Sequence, residues 1–171
     1  MYDFAVRAVL KVLIVDHEKC NGCTYCMLVC SMKHEGYVQR SKSRIKVYKY
    51  EDEALGLPML CEQCDEPPCV EACPSNAISR DPKLGIVSVD QDVCNGCGVC
   101  VNVCPYYGVR IDPETGKALI CDLCGGDPLC AKLCTVREAI MWVEATPSTL
   151  ERKRKLAEAR INELKRVLEA F

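Results

Sequence analysis

The stretch CNGCGVCVNVCP at residues 94–105 decides the fold of this chain. Its four cysteines are spaced C-x2-C-x2-C-x3-C, and a proline follows the last of them. The stretch CNGCTYCMLVC at residues 20–30 repeats this spacing, including the Asn-Gly pair after the first cysteine. Gly and Asn tolerate the left-handed backbone conformation that such a tight loop requires. The repeat therefore predicts two loops that each bring several thiols to one point.

All sixteen cysteines of the chain fall into four such quartets. Two of the quartets have longer gaps, and one of these ends in Cys73-Pro74. The quartets are Cys20, Cys23, Cys26 and Cys30; Cys61, Cys64, Cys69 and Cys73; Cys94, Cys97, Cys100 and Cys104; and Cys121, Cys124, Cys130 and Cys134. Four thiolates ligate one [4Fe–4S] cubane, and C-x2-C-x2-C-x3-C is a ligand run of such clusters. We therefore predict four [4Fe–4S] clusters, no cysteine left over, and a chain that carries electrons.

Two other uses of many cysteines are disfavoured. A zinc site closes one tetrahedron with two C-x2-C pairs, which would leave the third cysteine of each C-x2-C-x2-C run without a role. A disulfide framework suits short secreted chains, but the segment from Met1 to Val15 has neither the basic start nor the cleavage site of a signal peptide. Reduced thiols and oxygen-sensitive clusters favour the cytoplasm. We also expect no membrane span, because no apolar run is long enough.

Size and charge restrict the partners and the fold. The 171 residues carry a formal net charge of −2, and four oxidised cubanes would add roughly −8. So negative a protein is not expected to bind nucleic acid or an anionic membrane surface. Two modules of this size cannot rely on large apolar cores, so we expect metal ligation to replace burial and the apo-protein to be largely unfolded.

Short strands and helices are predicted around the quartets. Hydrophobic alternation and turn residues predict strands at residues 8–15, 44–50, 85–90, 109–111 and 118–120, and helices at residues 24–34, 70–73 and 101–104. The pattern indicates an α+β fold of tandem bacterial-type ferredoxin-like modules with two [4Fe–4S] clusters each, followed by a C-terminal amphipathic helix.

That helix is predicted from Leu150 to Phe171, after a break at residues 147–149. Its apolar residues form a narrow seam of Ala157, Ile161, Leu164, Leu168 and Phe171. The seam could pack on the chain's own cluster region, or dock onto a partner or another copy, and its narrowness slightly favours a partner. We therefore divide the chain into a four-cluster region at 1–143 and a C-terminal docking helix at 148–171.

A few other side chains are candidate neighbours of the clusters. His34 follows the first quartet and could tune a cluster or lie at an interface, although a polar residue at a helix end is the favoured interpretation. His17 is expected to face solvent. Trp142 is interpreted as core packing, and Tyr106 and Tyr107 are expected to cover a cluster from water.

The chain resembles a family of four-cluster electron-transfer subunits. The segments LCEQCDEPPCVEACPSNAI (60–78), GIVSVDQDVCNGCGVCVNVCPYYGVRI (85–111) and PETGKALICDLC (113–124) are similar to subunits that accompany molybdenum and tungsten pterin oxidoreductases, formate dehydrogenases and some hydrogenases. The resemblance covers residues 9–143, with Thr135 replacing the expected proline. The stretch CNGCTYCMLVCSMKHEG (20–36) looks most like the polyferredoxin subunit of tungsten aldehyde oxidoreductases.

The resemblance implies that the first quartet exchanges a ligand with the fourth, and the second with the third. The implied ligand sets are Cys20, Cys23, Cys26 and Cys134 (cluster 1); Cys121, Cys124, Cys130 and Cys30 (cluster 2); Cys61, Cys64, Cys69 and Cys104 (cluster 3); and Cys94, Cys97, Cys100 and Cys73 (cluster 4).

The resemblance also implies a non-catalytic subunit. Its partners would be a large tungsto- or molybdopterin-containing catalytic subunit and a ferredoxin or other redox acceptor. The alternatives are a relay subunit of a hydrogenase or formate dehydrogenase complex, a freely diffusing polyferredoxin, and a filament-forming electron conduit that self-associates through the C-terminal helix.

Overall fold

The computed structural model describes residues 10–50 and 55–169. The first two residues of the strand predicted at 8–15, and Phe171 of the apolar seam, lie outside the described residues. The elements are β1 Lys11–Val15, α1 Tyr25–Glu35, β2 Lys46–Tyr50, β3 Leu55–Met59, α2 Pro68–Glu71, β4 Ile78–Arg80, β5 Val87–Val89, α3 Val99–Val103, β6 Val109–Ile111, β7 Ala118–Ile120, α4 Leu129–Lys132, β8 Ile140–Glu144 and α5 Pro147–Glu169.

Each sheet in the described part of the chain is a two-stranded antiparallel ladder. Three ladders are local pairs of consecutive strands, β2–β3, β4–β5 and β6–β7. The fourth joins β1 to β8 and sets Val15 opposite Ile140. Since β1 precedes the first cysteine quartet and β8 follows the last one, this ladder brings these two quartets into one half of the molecule.

The cysteines themselves are core residues. One apolar cluster surrounds Cys26, Cys30, Cys121 and Cys130 with side chains from β1, β2 and β8. A second surrounds Cys69 and Cys100 with side chains from β4, β5, β6 and β7. Each half of the molecule therefore builds its small core around sulfur atoms, as expected where ligation supplements apolar burial.

A buried ion pair joins the two halves. Lys42, in the turn after α1, places its Nζ 3.0 Å from Asp112 Oδ2 and 2.8 Å from Glu114 Oε2, at the β6–β7 hairpin. Lys42 and Asp112 are both buried. Beside them, Arg110 Nη1 donates a hydrogen bond of 3.0 Å to the carbonyl oxygen of Ser43. A buried charge is tolerated only with a partner, so these contacts hold the hairpin at one position on the other half.

The predicted α+β fold is confirmed, although strands β3, β4 and β8 were not predicted and several other elements differ at their ends. β6 and β7 have the predicted bounds, and α1 begins one residue late because Thr24 adopts a left-handed conformation with φ 62°. β5 is shorter than predicted, since Gly85, with φ 67°, turns the chain before it. Among residues 10–50 and 55–169, every helix is too short or too polar to cross a lipid bilayer.

The C-terminal helix α5 packs on the chain itself. Ala157, Ile161 and Leu164 are buried, and the last two lie in an apolar cluster with residues of β3. Of the described seam residues, Leu168 alone is largely exposed, at 55%. Ile161 and Leu164 therefore follow the alternative in which the seam packs on the chain itself, and docking of the helix onto a partner or another copy stays a prediction.

Replacing Leu164 by alanine should destabilise the protein measurably. Truncating a buried leucine costs about 2–5 kcal/mol, which corresponds to a fall of about 4–20 °C in the unfolding midpoint of a chain of this size. The exposed Leu168 is the matched control on the same helix, and Leu168→Ala should change the midpoint by less than about 2 °C. Thermal unfolding of the holo-protein under anaerobic conditions, followed by circular dichroism, measures both. Equal effects would show that α5 does not pack as described.

Candidate iron–sulfur centres

The backbone wraps around the cysteines so that N–H groups point at sulfur. Gly22 N donates to Cys20 Sγ at 3.4 Å, and Gln63 N donates to Cys61 Sγ at 3.4 Å. Both donors have positive φ, 69° for Gly22 and 53° for Gln63, which is the conformation that the tight loop requires. Hydrogen bonds of this kind stabilise negative charge on sulfur and adjust the potential of a bound metal centre.

Two clefts are each lined by four cysteines. In each of them, three cysteines come from one quartet and the fourth is the last cysteine of another quartet. The first cleft contains Cys20, Cys23, Cys26 and Cys134, and the second contains Cys94, Cys97, Cys100 and Cys73. Cys23 and Cys97 are exposed, so each of these two outer groups reaches the protein surface.

For the other eight cysteines, the effects of their charges on one another's pKa indicate two further sets of neighbouring thiols, called the inner groups below. Burial raises the pKa of Cys61 to about 12, and the charges of Cys64, Cys69 and Cys104 contribute to this shift. Burial also raises the pKa of Cys130 to about 12, together with the charges of Cys30 and Cys124. After burial, the charge of Cys130 is the largest cause of the raised pKa of Cys121, so these two thiols lie close together.

The four groups are connected in a row. Where two groups adjoin, the charge of a thiolate in one group raises the pKa of a thiol in the other. Burial raises the pKa of the same thiol more strongly. The three pairs are Cys26 with Cys130, Cys121 with Cys61, and Cys69 with Cys100. The outer groups therefore lie at the two ends of the row, and the inner groups meet at Cys121 and Cys61.

The donor set fits iron–sulfur clusters. Every cysteine lies within the described residues and is free, so no disulfide removes thiolate charge. Four thiolates at one buried point repel one another, and burial penalises each of them. Iron ions supply the positive charge with which coordinating thiols deprotonate. The groups thus have the chemistry of cluster ligands rather than of inert buried thiols.

Gln63 lies where the two inner groups meet. Its Nε2 donates to the carbonyl oxygen of Cys121, and its Oε1 accepts a hydrogen bond of 2.6 Å from Val87 N on β5. Its own backbone N–H donates to Cys61 sulfur. One residue therefore connects the loop of one inner group with the backbone of the other. The spacing of the cysteines did not single out this residue.

Gly108 lies against the same loop. Its N–H donates to Cys104 Sγ at 3.4 Å. A Cβ at this position would lie 2.5 Å from the carbonyl oxygen of Leu60 and 2.7 Å from Cys61 Cα. Only glycine allows this close approach, which brings Cys104 to the loop that carries Cys61.

His34 contacts a cysteine, so its geometry favours the alternative in which it tunes a cluster. Its Nδ1 lies 2.8 Å from the carbonyl oxygen and 3.8 Å from Sγ of Cys30, and its Nε2 lies 3.0 Å from Asp122 Oδ1. Burial works to lower the pKa of His34, but the hydrogen bonds to Asp122 and Cys30 raise it to about 10. The available sequence signal was the i,i+4 spacing of Cys30 and His34 on α1.

The remaining aromatic and histidine predictions have mixed outcomes. His17 is 7% exposed, so the expectation that it faces solvent is wrong. Trp142 packs against the first apolar cluster, as predicted. Burial and the nearby Cys64 thiolate raise the pKa of Tyr106, which places its ring beside one inner group, whereas Tyr107 is 45% exposed and covers little.

Two basic residues of α5 contact this region although the sequence pattern did not single them out. Arg160 is 2% exposed, forms an ion pair with Glu62, and donates a hydrogen bond of 3.0 Å to the carbonyl oxygen of Val15. Lys153 Nζ donates to the carbonyl oxygen of Glu62. Glu62 is part of the loop between Cys61 and Cys64, so α5 contacts one inner group. Lysine and arginine are usually exposed in an amphipathic helix, so the sequence does not show that these two are buried until the contact with Glu62 is known.

The chain is similar to a known family model and to several known proteins. Residues 52–144 match the family model described as a 4Fe-4S dicluster domain. The polyferredoxin-like subunit of an aliphatic sulfonate oxidoreductase from Pyrococcus furiosus is 43% identical over 122 residues, which cover 71% of this chain and 70% of that protein. One subunit of the tetrathionate reductase from Archaeoglobus fulgidus is 35% identical, over 66% of this chain and 54% of that protein.

Other relatives are longer or more distant. The beta subunit of an NADH-dependent phenylglyoxylate dehydrogenase from Aromatoleum evansii is 37% identical over 70% of this chain but only 27% of its own length. Among solved structures, a chain of the BamBC complex of benzoyl coenzyme A reductase with benzoyl-CoA is similar, with a TM-score of 0.47 and 24% sequence identity. The match covers 93% of this chain and 96% of that chain, and we base no conclusion on it. The family model, the sulfonate oxidoreductase relative and the cysteine framework agree: this chain belongs to the 4Fe–4S dicluster ferredoxin family, and iron–sulfur clusters are its cofactors.

Proposed function

We propose that this chain is a non-catalytic electron-transfer subunit that relays electrons through four [4Fe–4S] clusters between a catalytic oxidoreductase subunit and an external acceptor. The observation that supports this proposal is that two clefts each bring four cysteines together, one of them exposed, while the other eight thiols influence one another's pKa between these clefts. We infer from it four groups of four in a row. A row of redox centres that reaches the surface twice can accept an electron at one end and release it at the other.

The proposed ligand sets follow the four groups. Cluster 1 takes Cys20, Cys23, Cys26 and Cys134, and cluster 2 takes Cys121, Cys124, Cys130 and Cys30. Cluster 3 takes Cys61, Cys64, Cys69 and Cys104, and cluster 4 takes Cys94, Cys97, Cys100 and Cys73. In this arrangement the fourth cysteine of each quartet ligates the neighbouring cluster, as in two-cluster ferredoxins.

The protein residues have three tasks in this relay. When bound, each cluster supplies a site that takes up and releases one electron. The apolar side chains around Cys26 and Cys100 exclude water, and the N–H groups of Gly22 and Gln63 stabilise charge on sulfur. Gln63 and the Lys42 ion pair hold the two halves together, so that the distance between the inner clusters stays constant.

We propose that the catalytic partner is a separate subunit that contains a tungsto- or molybdopterin. The sequence resemblance makes a tungsten aldehyde oxidoreductase the best candidate. The names of the relatives support an oxidoreductase complex: a polyferredoxin-like subunit of a sulfonate oxidoreductase, a subunit of a tetrathionate reductase, and an electron-transfer subunit of a thiosulfate reductase. A ferredoxin would serve as the external acceptor, and we propose the cytoplasm as the location because thiols remain reduced there.

Purification under anaerobic conditions should yield about sixteen irons and sixteen acid-labile sulfides per chain. Full reduction with a low-potential donor should then consume about four electrons per chain, measured by anaerobic titration. Eight irons and two electrons would contradict the four-cluster proposal. A colourless protein with zinc would contradict the proposed function altogether.

Double replacements test the exchange of ligands between quartets. Cys30→Ala should reduce the iron content to about twelve per chain, since one cluster loses a ligand. Adding Cys124→Ala, a ligand of the same proposed cluster, should cause little further loss. Adding Cys23→Ala, a ligand of a different cluster, should leave about eight. If the Cys30→Ala/Cys124→Ala protein instead loses more iron than the Cys30→Ala/Cys23→Ala protein, Cys30 ligates the same cluster as Cys20, Cys23 and Cys26.

The close approach of Gly108 to Cys61 gives a test without removing a ligand. Gly108→Ala should displace the Cys61 loop and reduce the iron content by up to about four per chain. Gly36→Ala is the control: a Cβ there meets nothing within 4 Å, although its φ of 78° is strained for alanine. This control should lose some stability but keep its iron. Full iron in both variants would contradict the described contact.

A further inference from the structure

The last helix contacts the loop of one inner group through two basic side chains. Arg160 forms an ion pair with the carboxylate of Glu62, and Lys153 donates to the carbonyl oxygen of the same residue. The Lys153 and Glu62 side chains are 17% and 10% exposed, respectively. Because Glu62 stands between Cys61 and Cys64, these contacts fix α5 directly over two of the cysteines assigned to cluster 3.

Cys64 and α5 line the same cleft. The cleft is lined by Cys64 and Tyr106 on one side and by Lys153 and Ala157 on the other. Burial raises the pKa of Cys64, and the charge of Lys153 opposes this shift, which agrees with a lysine close to the sulfur. Among the described residues, none of the other three groups of cysteines has α5 beside it in this way.

Two cations and one carboxylate meet at this contact. Lys153 and Arg160 are cationic, and Glu62 is the acidic side chain between them. Asp65 pairs with Arg80, Glu158 with Arg154, and Glu151 with Lys155. Lys153 lines the cleft together with Cys64, and its charge acts on the Cys64 sulfur more strongly than the charge of Glu62 does.

We propose that α5 is an intramolecular cap over cluster 3, and that Lys153 raises the reduction potential of this cluster. Reduction adds a negative charge to the cluster, and a partly buried cation close by stabilises the reduced form more than the oxidised one. Lys153 is thus a tuning residue that acts on the cluster from outside its ligand set. The inference rests on the proposed assignment of Cys61, Cys64, Cys69 and Cys104 to one cluster.

Lys153→Gln in the full-length holo-protein tests this inference, with Lys155→Gln as the matched control. Lys155 lies on the same helix, its side chain is 69% exposed, and it pairs with Glu151. Redox titration followed by electron paramagnetic resonance measures the midpoint of each cluster. In Lys153→Gln, the midpoint potential of one cluster should fall. The oxidised-to-reduced ratio of that cluster at a fixed potential should therefore rise about threefold to tenfold, and a tenfold rise corresponds to about 59 mV for one electron.

For the other three clusters of Lys153→Gln, and for all four clusters of Lys155→Gln, the oxidised-to-reduced ratio at the same potential should change by less than about twofold. Lys153→Arg, which keeps the charge, should restore the shifted midpoint. A Cys69→Ala background identifies the cluster: there, Lys153→Gln should shift none of the remaining midpoints. Hydrogen exchange of residues 61–64 gives an independent readout, and should be faster in Lys153→Gln than in Lys155→Gln.

The outcomes separate this inference from the proposed function. Four clusters in Lys153→Gln with no midpoint shifted, or with all four shifted equally, would overturn the role of Lys153 and leave the electron relay standing. A shift that persists in the Cys69→Ala background would place the cap over another cluster. Fewer than about sixteen irons in the unaltered protein would instead count against the four-cluster proposal.

Discussion

The repulsion between buried thiolates is the constraint on which the rest of the structure depends. Each half of the molecule concentrates cysteines where other small domains have leucine and valine, and burial raises the pKa of most of them. Such a core is unfavourable when the thiols are charged, because the thiolates repel one another. When the thiols are neutral, the core has too few apolar contacts to stabilise the fold strongly. Iron changes this balance, because it binds the thiolates and replaces mutual repulsion with ligation. The same interaction that stabilises the fold therefore also provides the redox centres.

This constraint explains why the secondary structure is so sparse. Two-stranded ladders and helices of one turn are weak elements by themselves. Here they serve to bring the last cysteine of one quartet to the first three of another, as β1 and β8 do by pairing across the whole chain. The contacts between the halves then have the remaining task of holding the inner groups at a constant distance. Gln63 and the Lys42 ion pair meet this need with polar interactions that have specific geometry.

The C-terminal helix shows how a surface element can be incorporated into a redox site. Its apolar side packs on the β2–β3 hairpin, and its basic side chains contact the loop of Cys61 and Cys64. The ion pair between Arg160 and Glu62 is almost fully buried. Breaking a buried pair leaves one charge without a partner, so the helix is bound to this position by charge as well as by apolar contact.

The sequence by itself determined the cofactor chemistry, the helix after the first quartet and the β6–β7 hairpin, because ligand spacing and turn residues are local properties. It did not reveal β3, because Gly56 and Pro58 are unusual in strands. The structure explains the glycine: a Cβ at position 56 would lie only 2.7 Å from Gly22 N, so a larger residue would not fit there. Only the tertiary structure decided that α5 covers its own chain, that His17 and Arg160 are buried, and that Gln63 joins the inner groups. Each of these depends on contacts between residues far apart in the chain, and no local pattern encodes such a contact.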